Sequence, residues 1–283
     1  MLKVKQLSKV YTNQKGIFNV SFECAPSEVM GIIGDNGSGK STLFKCLAQI
    51  NGYDKGLIEL NTQSLHLKDV GFLPEHKAII EELTAMEFVE LFAKMKGCSE
   101  EQRSISIQDF SNSLHTHDIM DQKIKHLSKG NKQKIQIMAT CIHEPKLIIL
   151  DEPFSGLDDV NHSHMKNFIV SLKKKDKIVL LSSHRIEDIE HVCDSVCWIK
   201  EGRLSEKYSI YALKEDSSLI HVKVSFDPYQ QFKDEKGITS VVNEGNMSVY
   251  CFDQVSQAHQ FMKLILKQRK NQSVSIHHQV SCP

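Results

Sequence analysis

Long apolar runs are missing from this 283-residue sequence, and so is a surplus of either charge. No segment approaches the roughly 18 consecutive apolar residues that a membrane-spanning helix requires. The first residues alternate between apolar and basic side chains, which predicts a strand and not the apolar segment of a secretion signal. Lys and Arg together number 35, as do Asp and Glu, so no net field attracts nucleic acid or an acidic membrane surface. We expect a chain that does not itself cross a membrane.

The eight cysteines lack the spacing of a disulfide framework. Without an export signal, we expect them to be reduced and mostly buried. Cys193 and Cys197 lie near His191, but they do not form a CxxC pair, and the sequence has no second pair of ligands. A zinc site is therefore disfavoured. We interpret three further histidine pairs as exposed polar positions: His115/His117, His162/His164 and His277/His278.

Strand and helix patterns alternate along the first 200 residues. Thr84 with Glu87, and Ser99 with Gln102, form capping boxes within a largely helical stretch at about 79–140. Residues 147–150 are all apolar, which is typical of a strand buried on both faces of a parallel sheet. The alternation predicts an α/β fold. We predict strands at 2–11, 17–24, 28–33, 56–60, 70–73, 147–150, 178–181 and 196–199, and helices at 43–50, 132–142, 160–172 and 185–191.

The pattern changes after residue 202. Residues 220–226 alternate between apolar and polar, and 238–242 with 247–252 flank Glu244-Gly245-Asn246 as a predicted hairpin. A helical face over 255–265 and a final strand within 273–280 follow. We predict that 212–283 form a small α+β appendage, and the pattern assigns it no chemistry.

Residues 34–42 fit the phosphate-binding pattern GxxxxGK[ST] between a predicted strand and helix. Such a loop directs backbone N–H groups and the positive end of the helix at phosphate oxygens. Lys40 is expected to reach the terminal phosphates, and the Ser41 hydroxyl to bind Mg²⁺. The predicted nucleotide-binding residues are Gly34, Asp35, Asn36, Gly37, Ser38, Gly39, Lys40, Ser41 and Thr42.

An acidic pair, Asp151 and Glu152, ends the apolar strand at 147–150. In a parallel sheet this position is beside the phosphate loop. We expect Asp151 to hold Mg²⁺ and Glu152 to polarise the water that attacks ATP. Between the two motifs, Leu127-Ser128-Lys129-Gly130-Asn131 precedes a helix. Ser128 and Gly130 would suit an anion site there, although alone the segment is also an ordinary helix N-cap.

In this order the motifs resemble the nucleotide-binding domain of ABC transporters, over about residues 1–205. Residues 34–42 match its Walker A loop, 127–131 its signature, 147–152 its Walker B strand and 155–158 its D-loop. The resemblance implies a P-loop NTPase with a RecA-like parallel sheet, an antiparallel β subdomain and a helical subdomain at about 79–140. It implies that Tyr11 stacks on adenine, that His184 is the switch histidine and that Glu75 occupies the Q-loop beside Mg²⁺.

Two positions depart from the family pattern. The signature is LSKGN where LSGGQ is usual, but Ser128 and Gly130 are kept, so we expect it to sense the γ-phosphate. Glu75 replaces the usual glutamine and adds negative charge near that phosphate. Leu73-Pro74-Glu75 is similar to single-domain ATPases of the peptide, bacteriocin and drug export branch, which favours export.

The resemblance implies that two such subunits, a homodimer or a pair of paralogues, enclose ATP and Mg²⁺ head to tail. They would drive a separately encoded membrane permease from the cytoplasmic face of the membrane. A soluble ABC protein acting on ribosomes or DNA is the alternative, but one cassette with balanced charge and no heptads disfavours it. A catalytically inactive subunit is disfavoured because Lys40, Ser41, Asp151, Glu152 and His184 are all present.

Overall fold

Strands form three sheets in the computed structural model, which describes residues 1–12, 14–75, 79–183, 186–211, 220–225, 237–244, 247–252, 257–258, 260–261 and 274–277. The chain divides into two compact units, Met1–Lys207 and Tyr208–Pro283. The strands of the first unit are β1 (Leu2–Val10), β2 (Gly16–Cys24), β3 (Val29–Ile33), β4 (Lys55–Leu60), β5 (Gln63–Ser64), β6 (Val70–Leu73), β7 (Leu147–Leu150), β8 (Ile178–Ser182), β9 (Ser195–Lys200) and β10 (Arg203–Leu204). Its helices are α1 (Lys40–Leu47), α2 (Ala85–Met95), α3 (Glu100–Leu114), α4 (Lys129–Cys141), α5 (Asp159–Lys173) and α6 (Ile186–Val192).

The central sheet has the order β10-β9-β3-β8-β7-β6, and its strands from β9 to β6 run parallel. β3, β7 and β8 are buried along their whole length, and for β7 the apolar run at 147–150 predicted this. In the register, Ile32 lies opposite Ser182 and Leu150 opposite Leu181. The carboxyl ends of these three strands therefore meet at one edge of the sheet.

An antiparallel sheet of order β2-β1-β4-β5 accompanies the central one. Helix α1 contributes Leu43, Phe44 and Leu47, each 0% exposed, to one hydrophobic cluster that includes residues of both sheets. Because α1 leads directly from β3, this packing fixes the loop at 34–39 on both sides. The helix ends at Leu47, three residues before the predicted end at residue 50.

The helical region contains less helix than its sequence pattern predicted. The two predicted capping boxes begin α2 and α3. Between α3 and α4 the chain forms short 3₁₀ turns at His117–Ile119 and Ile124–His126 instead of continuing as helix. Helix α4 begins at Lys129 and not at residue 132, because Ser128 caps it by accepting from the N–H of Asn131.

The second unit contains β11 (Tyr208–Ser209), β12 (Ile220–Ser225), β13 (Ile238–Glu244), β14 (Met247–Phe252) and β15 (Val274–His277). The last four form an antiparallel sheet of order β13-β14-β12-β15, so the predicted hairpin is confirmed. The Phe261 ring packs 4.6 Å from Tyr250 and 5.1 Å from Phe252, between ring centroids. Much of the predicted helix at 255–265 lies outside the described residues. None of the helices within the described ranges is long and apolar enough to span a membrane.

Candidate functional site

The loop between β3 and α1 closes tightly around a lysine. Gly39, with φ of 115°, occupies the left-handed region that glycine enters without a Cβ penalty, and α1 begins at the next residue. At Gly34 a Cβ would lie 2.3 Å from the carbonyl oxygen of Ile199, so only glycine fits there. The Ser38 N–H donates to the Asp35 carbonyl at 3.1 Å and closes the turn. The first helical position therefore points back into the loop.

Lys40 occupies that position and is 6% exposed. Its ammonium donates to the carbonyl oxygens of Gly34 at 2.6 Å and Asp35 at 3.0 Å. Burial lowers the pKa of Lys40, while the nearby carboxylates of Glu152 and Asp151 oppose that effect. A buried cation is thus held by its own loop and faces the acidic pair.

A chain of hydrogen bonds connects the start of α1 with the ends of β7 and β8. The Ser41 hydroxyl donates to Asp151 Oδ2 at 2.9 Å, and the Ser182 hydroxyl donates to Asp151 Oδ1 at 2.7 Å. The same Ser182 oxygen accepts from the N–H of Glu152 at 2.9 Å. Ser182 is 0% exposed, so it fixes both acidic residues from within the core.

Glu152 has an unusual backbone conformation. Its φ is 54°, in the left-handed region, and the residue is 8% exposed. A non-glycine residue pays roughly 1 kcal/mol or more for this conformation, so the surrounding contacts must hold it there. The hydrogen bond from its N–H to the Ser182 hydroxyl is one such contact.

These residues surround a cavity of about 360 Å³. Its wall combines two lysines, three glycines, hydroxyl groups and three carboxylates. Most of the predicted site residues line this cavity. Gly34, Asp35 and Ser38 belong to the same loop but do not line the cavity. The lining residues are Tyr11, Lys15, Gly16, Asn36, Gly37, Gly39, Lys40, Ser41, Thr42, Glu75, Asp151 and Glu152.

Tyr11 marks the outer end of the cavity and is 38% exposed. Its hydroxyl accepts from the Asn51 side-chain amide at 2.8 Å, and the Lys9 ammonium lies 5.9 Å from the ring centroid. These two contacts orient the ring without covering it completely. An aromatic face held in this way is available for stacking on a flat heterocycle.

The oxygen atoms at the inner end fit a hard cation. Ser41 offers a hydroxyl, and Asp151 and Glu75 offer carboxylates, which are the ligand types that Mg²⁺ prefers. Within the described part of the chain, no group of three or more His, Cys, Asp or Glu residues is arranged to hold a metal alone. Mg²⁺ takes one or two protein carboxylates and completes its shell with phosphate and water, so it does not require such a group.

Ser128 and Gly130 lie elsewhere. Both are at the start of α4 and neither is among the residues that line the cavity. A Cβ on Gly130 would lie 2.6 Å from the side-chain amide nitrogen of Asn161. The backbone N–H and the side-chain amide of Asn161 each donate to the Asp158 carboxylate. The predicted signature thus packs against the start of α5, which follows the predicted D-loop of the same chain.

His184 lies outside the described residues. Sequence patterns missed three features of the site: Ser182, which bonds to both members of the acidic pair, and Lys15 and Gly16, which line the cavity. Ser182 directly follows a predicted buried strand, and that position was the available signal. Lys15 and Gly16 lie between the predicted strands at 2–11 and 17–24, where no site residue was predicted.

Comparisons with known proteins agree with this geometry. Residues 17–155 match the family described as ABC transporter. An uncharacterised ABC transporter ATP-binding protein of Methanocaldococcus jannaschii is 37% identical over 202 residues, covering 71% of this chain and 75% of that protein. The lantibiotic transport ATP-binding protein SrtF of Streptococcus pyogenes is 30% identical over 207 residues, which cover 72% of this chain and 89% of that protein.

A solved structure gives the same result at the level of the fold. The ATP-binding subunit of an ABC transporter is 31% identical, with a TM-score of 0.69 over 76% of this chain and 92% of that one. This likeness confirms the predicted P-loop NTPase fold. The chain belongs to the ABC transporter family as an ATP-binding subunit, and it is an ATPase.

Proposed function

We propose that the chain hydrolyses ATP with Mg²⁺ in the cavity described above and thereby powers export of a substrate through a separately encoded membrane permease. One observation carries the proposal: Ser41, Asp151, Ser182 and Glu152 form a continuous hydrogen-bonded chain at the inner end of a cavity that also contains Lys40. Lys40, Ser41, Asp151 and Glu152 all line this cavity, which supports binding of nucleotide phosphates there.

Each group then has a separate task. The backbone N–H groups of residues 34–42 and the Lys40 ammonium bind the phosphates. Ser41, Asp151 and Glu75 hold Mg²⁺, which neutralises negative charge on the phosphates when it is bound. Glu152 orients and polarises the attacking water, since it lines the same cavity as Lys40 and Ser41.

The remaining groups complete the site. Tyr11 stacks on the adenine ring. By the family resemblance, His184 contacts the γ-phosphate from the same chain. Ser128 and Gly130 contact that phosphate from a second subunit, arranged head to tail. Their exclusion from the cavity of their own chain supports this arrangement, since the N-terminus of α4 would otherwise have no phosphate to bind.

For the chain as a whole, we propose that residues 1–205 form the nucleotide-binding domain, with a helical subdomain at about 79–140, and that 212–283 form an accessory domain. The second subunit is a copy of this chain or a paralogue. The complex lies on the cytoplasmic face of the cell membrane, bound through the permease. Export is supported by Leu73-Pro74-Glu75 and by the lantibiotic transport relative.

Two substitutions test the assignment of roles. Lys40→Ala should abolish ATP binding and turnover because the phosphate contacts are lost. Glu152→Gln should retain ATP binding, since Asp151 and Ser41 still hold the cation, and should lose at least 100-fold in turnover. The measurements are Mg²⁺-dependent phosphate release and the affinity for ATP. Steady-state hydrolysis by Glu152→Gln at the wild-type rate would remove Glu152 from its role.

A mixing experiment tests the composite site. Lys40→Ala and Ser128→Arg each break both sites of a homodimer, but a mixed dimer has both defects in one site and neither in the other. With equal mixing about half of the dimers are mixed, so roughly a quarter of the wild-type activity should return. Sites that lie within one chain give no recovery, and neither do sites that depend on each other. ATP binding by the mixture separates these outcomes. If the site is composite, the mixture regains one tight ATP site even when the two sites depend on each other for hydrolysis. If this chain works only with a paralogue, the tight site should return when the mixing is repeated with that paralogue.

A further inference from the structure

A buried carboxylate outside the cavity receives contacts from two other segments of the chain. Asp188 on α6 is 0% exposed. Its Oδ1 lies 2.7 Å from His162 Nε2 and 3.5 Å from the Lys166 ammonium, both on α5. Its Oδ2 accepts from the Ser183 hydroxyl at 3.3 Å. One carboxylate therefore connects α5, α6 and the end of β8.

This arrangement corrects the prediction that His162 is an exposed polar position, because its side chain is only 12% exposed. A carboxylate in the core requires donors or positive charge, since burial without them costs several kcal/mol. The Ser183 hydroxyl donates to Asp188, the Lys166 ammonium supplies positive charge, and the His162 ring nitrogen lies in contact with Asp188 Oδ1. Removing one donor is costly, so the three segments are held in a single relative arrangement.

The same residues approach Glu152 from both sides. Ser183 follows Ser182, whose hydroxyl bonds to the N–H of Glu152. The His162 ring lies 5.0 Å from the Phe154 ring, between centroids, and Phe154 is two residues beyond Glu152. Thus Asp188 is connected to Glu152 through the end of β8 on one side and through the segment after β7 on the other.

We propose that Asp188 and His162 are positioning residues for ATP hydrolysis, which hold Glu152 in its left-handed conformation. This inference rests on the proposed role of Glu152. Neither residue lines the cavity, so neither touches the nucleotide. Their effect is exerted on the direction of the Glu152 carboxylate, and a small error in that direction lowers turnover without changing phosphate binding.

The test uses three variants of the full chain. Asp188→Asn keeps the shape but removes the negative charge that faces Lys166 and His162. His162→Leu removes the ring nitrogen that contacts Asp188, whereas His162→Gln keeps a polar N–H group near Asp188. We expect kcat to fall on the order of tenfold in Asp188→Asn and His162→Leu, with ATP affinity within about twofold of wild type. His162→Gln should keep at least half of the wild-type kcat.

A matched control removes a different ion pair of the same helix. The Lys173 ammonium on α5 lies 2.5 Å from Asp194 Oδ1, just beyond α6, and the two side chains are 32% and 40% exposed. Lys173→Gln should therefore leave kcat unchanged. The double variant His162→Leu/Asp188→Asn should be no slower than the slower single variant, because both changes break one connection.

Several results would overturn the proposal. Wild-type kcat in folded His162→Leu and Asp188→Asn would show that the connection does not affect turnover. Equal losses in His162→Gln and His162→Leu, or a loss of ATP affinity as large as the loss of kcat, would assign the residues another role. If Asp188→Asn fails to fold, the two His162 variants decide. Active Glu152→Gln would instead refute the proposed function, whatever the His162 variants do.

Discussion

Replacing Ser182 with alanine removes one hydroxyl that serves two partners. In the wild-type chain it donates to Asp151 Oδ1 at 2.7 Å and accepts from the N–H of Glu152 at 2.9 Å. Alanine fits the same space, so the change leaves these two groups without that partner in the core. An unsatisfied buried polar group costs about 1–3 kcal/mol, so Ser182→Ala should lower the free energy of unfolding by about 2–4 kcal/mol. A domain of ordinary stability, about 5–15 kcal/mol, still folds after such a loss.

Urea unfolding monitored by tryptophan fluorescence measures this loss. Trp198 is the only tryptophan of the sequence and lies in β9 of the central sheet, so its signal reports on the unit that contains the cavity. Turnover should fall at least tenfold, because Glu152 loses a bond that holds its unfavourable backbone conformation.

Ser195→Ala is the matched control. Ser195 is 3% exposed in the same sheet, and its hydroxyl donates to Glu28, a carboxylate that does not line the cavity. It should lose stability but keep the wild-type turnover. Two results contradict the reasoning: Ser182→Ala that is as stable and active as wild type, or Ser195→Ala that loses as much activity as Ser182→Ala.

Two further predictions concern other parts of the chain. Burial, with the charge of Lys96, lowers the pKa of His143 from 6.5 to about 4. The unfolded chain therefore binds a proton that the folded chain does not, and stability should decrease as pH falls from about 6.5 toward 4. His143→Gln should reduce this loss by on the order of 1–2 kcal/mol at pH 5, measured by urea unfolding. Deleting 212–283 should leave ATP affinity unchanged, because every residue lining the cavity precedes residue 153; a folded truncated chain that fails to bind ATP would contradict this.

Local patterns predicted those parts of the site that are contiguous in sequence. The loop at 34–42 and the acidic pair at 151–152 each adjoin a buried strand, and parallel strands direct their carboxyl ends to one edge. The capping boxes at Thr84 and Ser99 were predictable for the same reason, since donor and acceptor are three residues apart.

Contacts between distant residues were not predictable in this way. Ser41 and Asp151 are 110 residues apart, and Ser182 is 31 residues from Asp151. The local sequence around Ser182 and Ser183 does not indicate whether their hydroxyls lie in the core or in an exposed loop. Periodicity also indicates which face of a helix is apolar but not how deeply a polar residue such as His162 is buried. The left-handed conformation of Glu152 depends on tertiary contacts, so no local preference indicated it.

The loop around Lys40 has a consequence for the thermodynamics of binding. Its ammonium already bonds to the Gly34 and Asp35 carbonyls, and Gly39 already has the backbone conformation that begins α1. Under the proposed function, a phosphate would meet a loop whose conformational entropy was lost when the protein folded, and binding would require little further ordering of that segment. We expect the heat capacity and entropy changes on nucleotide binding to come mainly from displaced water and from the nucleotide itself, and not from folding of the loop.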